Sequence, residues 1–123
     1  MKGYCDNIEK RTVENEDFRR VLYTGKNLQL VLMTLRPGEE IGEEVHTDRD
    51  QFFRFEEGEG AVDIDGTENR VSDNFAVIVP AGARHNAAPA QRNIESHQST
   101  GRFSRVGLDR RVIGSAHGYP VLF

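Results

Sequence analysis

Apolar residues along this chain come in short runs that alternate with polar ones and stop at glycine or proline. Phe18 to Tyr23 reads as a strand, and Thr24-Gly25-Lys26-Asn27 as the turn after it. Leu28 to Leu35 is apolar on both faces, which predicts a buried strand, and Pro37-Gly38 stops it. Gln51 to Glu56 places Phe53 and Phe55 on one strand face and Phe52 and Arg54 on the other. Val62 and Ile64 alternate with Asp63 and Asp65, so the first pair is expected inside and the second outside. The run ends in Asp65-Gly66, the pair that favours a type I′ hairpin turn. Arg70-Val71 resumes briefly, and Phe75 to Val79 is a further apolar strand closed by Pro80-Ala81-Gly82. The opening Asp6 to Arg20 is polar and acidic, and its pattern allows a short helix or turn around Val13 to Phe18. Many short strands separated by Gly and Pro turns predict an all-β sandwich or barrel.

Composition narrows the class. A chain of 123 residues fits one domain, 1–123, with enough core to fold without staples. Its single cysteine, Cys5, forms no intrachain disulfide, which agrees with a reducing compartment and a cytoplasmic location. The charged first ten residues argue against a secretory signal, and no apolar run reaches the ~18 residues of a membrane span. A net charge of -4 argues against a general nucleic-acid binder. The charge is uneven: 11 basic against 18 acidic residues up to Asn86, then five arginines against two acids from Ala87 on.

Glu44 and His46 lie two apart, so on a strand both leave from one face, and the mouth of a barrel is where such groups converge. His85 follows the Pro-Ala-Gly turn. Two histidines and a carboxylate suit a divalent first-row metal, although surface residues produce the same composition.

The spacing of these residues resembles the cupin superfamily. The first cupin motif, G-x5-H-x-H-x3–4-E-x6-G, is matched by Gly38, Glu44, His46, Gln51 and Gly58. The second, G-x5-P-x-G-x2-H-x3-N, is matched by Asn74, Pro80, Gly82, His85 and Pro89. The hairpin at Asp65-Gly66 lies between them. The segment from Pro37 to Gly60 is also similar to a small single-domain cupin subgroup. Recognisable motifs span about 18–86, and 87–123 is an atypical C-terminal segment. The resemblance implies a small double-stranded β-helix (jelly-roll) barrel, with Glu44, His46, Gln51 and His85 at the metal positions.

Four positions depart from the pattern. Glu44 replaces the first histidine, Gln51 the glutamate, Asn74 the opening glycine and Pro89 the closing asparagine. Asn74 tolerates positive φ and is expected to serve as the glycine does. The metal set keeps one carboxylate but becomes richer in oxygen, which favours Mn, Fe or Zn. Glu44, His46 and His85 alone make a 2-His-1-carboxylate set, with Gln51 as fourth ligand or orienting donor. The opposing reading is a degenerate site that no longer binds metal.

The remaining candidates receive plainer readings. Phe52, Phe53 and Phe55 are expected in core or dimer packing, and Asp48 and Asp50 in turns at the barrel rim. Arg54 and Arg84 either hold an anionic substrate or pair with acids such as Glu56 or Glu57. Cys5, His97 and His117 are expected to be inert or superficial. After Asn86 the apolar pattern weakens. Either the terminus is replaced or frame-shifted, with Gln91 to Gly101 irregular and a sheet edge left open, or Val106, Leu108 and Ile113 pack onto the sheet. The resemblance implies a homodimer and a small-molecule ligand or substrate. It points loosely to sugar or sugar-phosphate isomerase-like or dioxygenase-like chemistry. The alternative is a non-enzymatic ligand-binding or sensor barrel with a vestigial metal site.

Overall fold

A computed structural model describes residues 2–89 and 101–109. One helix, α1 (Ile8–Glu14), precedes nine strands: β1 (Arg19–Thr24), β2 (Leu28–Leu35), β3 (Glu44–Val45), β4 (Arg49–Glu57), β5 (Gly60–Ile64), β6 (Thr67–Val71), β7 (Phe75–Val79), β8 (Arg84–Pro89) and β9 (Gly101–Asp109). They form two antiparallel sheets, ordered β1-β2-β9-β4-β7 and β3-β8-β5-β6. This is the expected all-β jelly-roll barrel. Among the described residues no helix is long and apolar enough to cross a membrane.

The inner faces meet in a core of Val31, Met33, Leu35, Phe53, Phe55, Val62, Val79 and Phe103, among others. Phe103 packs edge-on to Phe53 at 5.8 Å and lies 5.1 Å from Phe55, centroid to centroid. Strand β2 is buried on both faces from Val31 to Leu35, while Leu28 to Leu30 are only partly buried. The outer face is covered because Asn15, just past α1, is tied to it. Its Nδ2 donates to Thr34 Oγ1 at 2.9 Å, and that hydroxyl donates to Asn15 O at 2.7 Å.

The helix begins upstream of the Val13 to Phe18 stretch and overlaps it only at Val13 and Glu14. Asn7 begins it as N-cap, its side-chain oxygen accepting from Lys10 N at 3.0 Å, and Asn15 ends it. Cap chemistry, rather than apolar periodicity, sets these bounds.

The β5–β6 hairpin is as expected. Asp65 and Gly66 have φ of 50° and 87°, the two positive values a type I′ turn requires. Val62 is fully buried and Ile64 partly so, with Asp63 and Asp65 exposed. Asn74 takes φ 67°, doing what the motif glycine does.

The tail requires a correction. Gly101 opens β9, which lies between β2 and β4 and pairs with both. The sheet therefore has no gap where the weakened pattern suggested a missing strand. Gln91 to Thr100, and with them His97, lie outside the described residues, as do Ile113 and His117. Strand β9 reads poorly because its inner face carries Phe103, then Arg105, then Gly107. It runs from the core into a polar mouth, so alternation fails there.

Candidate metal centre

Strand β3 pairs with β8 so that Glu44 faces His85 directly, and Val45 faces Arg84. The Pro80-Ala81-Gly82 turn sets the third residue. Gly82, at φ 87°, donates its N–H to His46 O at 2.8 Å, and Asp50 Oδ1 accepts from Ala81 N at 2.8 Å. Asp50 was expected in a turn but lies in strand β4, where it pairs with Leu108 and ties down the Pro80-Ala81-Gly82 turn from there. The result is one focus, Glu44 Oε2. It lies 3.3 Å from His85 Nε2, 3.4 Å from His46 Nε2 and 3.0 Å from Arg105 Nη1, which donates to it. One ligand atom from each of Glu44, His46 and His85 falls within 4.8 Å of the others.

His85 is almost completely buried, against Phe53 at a centroid distance of 5.9 Å. Its Nδ1 lies 3.3 Å from Ala83 O. A proton on Nδ1 donating to that carbonyl leaves the Nε2 lone pair facing the Glu44 carboxylate. Nε2 has no hydrogen-bond partner of good geometry. The two facing acceptors call for a positive charge between them, either a proton or a metal ion.

Glu44 is held in its charged form, its pKa lowered from 4.5 to about 2. The largest cause is His85 acting as a donor, that is, with a proton rather than a metal ion between Nε2 and the carboxylate; the Arg105 charge and His46 add to it, and partial burial opposes it.

Three of the four expected ligands therefore come together. Gln51 lies on the inner face of β4 and lines the same cavity as His46 and Arg105, and its Oε1 is buried without a partner. A cation would satisfy both orphaned atoms, so the donor set fits a divalent ion. Arg54 and Arg84 are not at the site: Arg54 pairs with Glu56, and Arg84 with Glu43 at 3.0 Å. The sequence reasoning missed Arg105. Its signal was its place two residues after Phe103, on the same strand face.

The family model for the Cupin domain matches residues 31–91. The crystal structure of BH2720 from Bacillus halodurans is 31% identical and superposes with a TM-score of 0.79, covering 98% of this chain and 87% of that one. This chain belongs to the cupin superfamily. A cupin protein of Bacteroides fragilis, BF4112, shares the fold at 17% identity, with a TM-score of 0.70 over 98% of this cupin and 93% of its own chain. The uncharacterized protein YrkC of Bacillus subtilis is 41% identical over 91 residues, 69% of this cupin and 49% of its own length. The uncharacterized protein L612 of Acanthamoeba polyphaga mimivirus is 37% identical over 86 residues, 67% of this cupin and 53% of its own length. This cupin thus spans about half the length of the curated relatives it matches.

Proposed function

We propose that this cupin holds a divalent first-row ion, Mn, Fe or Zn, and acts on a small molecule bound beside it. The observation that carries the proposal is the Glu44 carboxylate facing His85 Nε2 at 3.3 Å without a well-formed hydrogen bond. Glu44, His46 and His85 would be the ligands, with Gln51 as the fourth. A bound ion would supply a Lewis acid with open positions for a substrate. The chain's own residues do the rest. Phe53 and the barrel wall keep water from the buried side of His85, and the Ala83 carbonyl orients its ring. Arg105 holds the Glu44 carboxylate in place and charged. Sugar or sugar-phosphate isomerase-like and dioxygenase-like chemistry are the enzymatic readings that the family resemblance supports.

One observation favours a second reading. Arg105 already neutralises Glu44 at 3.0 Å, as it would in a metal-free binding or sensor barrel. Elemental analysis of the purified protein separates the two. The proposal expects near-stoichiometric metal in the parent and sharp loss in His46→Ala, with the fold retained by circular dichroism. Metal-free parent protein that also fails to take up Mn, Fe or Zn on reconstitution would leave the binding-module reading. The proposal also includes a homodimer, supported by the exposed Ile78 and Phe75 on β7, an edge strand among the described residues, and a cytoplasmic setting, supported by the exposed free thiol of Cys5.

A further inference from the structure

Beside the histidine–glutamate cluster, a cavity of about 160 Å³ is lined by three arginines, Arg19, Arg49 and Arg105, together with His46 and Gln51. No carboxylate lines it among the described residues. The three guanidiniums are graded in depth. The Arg105 side chain is 12% exposed and binds Glu44 through Nη1, while Arg49 and Arg19 are nearer solvent. Arg49 uses Nε on Asp48 at 3.2 Å. Among the described residues Arg19 meets only the neutral amide oxygen of Gln29, at 3.4 Å. Among the described residues two carboxylates thus answer three arginines, and the guanidinium N–H groups these contacts do not use are of the kind suited to forked contacts with an oxyanion. Gly107 lines the same space, and a Cβ there would touch Arg49 Cδ at 3.4 Å, so a larger side chain would extend into it. An adjoining cavity of about 260 Å³ shares Gln29, Arg49 and Gly107 and adds Lys26 as well as Asp48.

We infer that this cavity takes the carboxylate or phosphoryl group of a small anionic substrate, gripped by Arg19 and Arg49 and directed inward at His46 and Gln51. The inference deepens the metal-site reading and rests on it for the substrate's orientation. The anion contact itself is a property of the arginines. The pocket admits one oxyanion and a short carbon skeleton, not a polymer.

The test is calorimetric titration of metal-stripped full-length protein, at low salt, with inorganic phosphate and separately with acetate. Saturable one-to-one binding is expected, and the tighter probe identifies the anionic group. The double variant R19Q/R49Q should weaken that probe by about tenfold or more, since charge-assisted hydrogen bonds are lost. Gly107→Val should weaken it by filling the space while keeping every charge. Arg70→Gln, on exposed strand β6, should change nothing. The inference is overturned if neither probe saturates, if R19Q/R49Q binds like the parent, or if Arg70→Gln weakens binding equally. Metal content, measured in parallel, tells the two failures apart. Metal without anion binding sinks only this inference, and anion binding without metal sinks only the metal reading.

Discussion

Glu44 is the residue on which the site turns, and its titration is open to measurement. Its folded pKa, about 2, lies below the ordinary 4.5, so the carboxylate adds stability that is fully present above 4.5 and is lost as pH falls toward 2. In metal-stripped protein, unfolding by denaturant should show this loss over that window, and Glu44→Gln should flatten it. The effect should be about 1 kcal/mol, well short of the full ~1.4 kcal/mol per pKa unit, because the side chain is partly solvated and screened. An unchanged pH profile in Glu44→Gln would mean that the contacts to His85 and Arg105 do not persist in solution. Gln51 is tested in the opposite direction. Gln51→Glu puts a second carboxylate beside the cluster and should tighten divalent binding by about tenfold. If affinity stays level while His46→Ala abolishes it, Gln51 is not a ligand. Glu44, His46 and His85 were legible because a motif spaces them along the chain. Arg19, Arg49 and Arg105 were not, since they come from three strands that only the sheet order brings together.

Among the elements, the β5–β6 hairpin and β9 mark the two extremes of legibility. The hairpin is written locally: alternating Val62 and Ile64, then a residue pair that accepts positive φ. Strand β9 has little local signature, because Arg105 and Gly107 occupy inner positions that apolar residues would otherwise fill. Helix α1 was misplaced for a related reason, since its N-cap at Asn7 is a polar signal within a polar stretch. The place of β9 in the sheet yields a clear expectation. Phe103 is buried and touches Phe53 and Phe55, so Phe103→Ala should cost about 3–5 kcal/mol in chemical denaturation. A loss below ~1 kcal/mol would show that β9 contributes little to the core.

For the molecule as a whole, β1 and β7 are the two edge strands of the larger sheet among the described residues. Ile78 is 64% exposed on one of them. If association uses that edge, Ile78→Lys should turn a dimer into a monomer in sedimentation velocity, with the unfolding midpoint of each subunit little changed. A parent that sediments as a monomer would remove the homodimer from the proposal. The location of β9 also governs how the molecule is built. Leu28 pairs with Leu108, and Phe55 with Phe103, so the sheet is joined by contacts between distant parts of the sequence. During synthesis β2 and β4 emerge with the strand that belongs between them still inside the ribosome. Each carries an edge of unpaired backbone N–H and C=O groups until residues 101–109 arrive. High contact order of this kind places folding on the millisecond-to-second scale, and an interrupted translation product would be an aggregation-prone half-barrel.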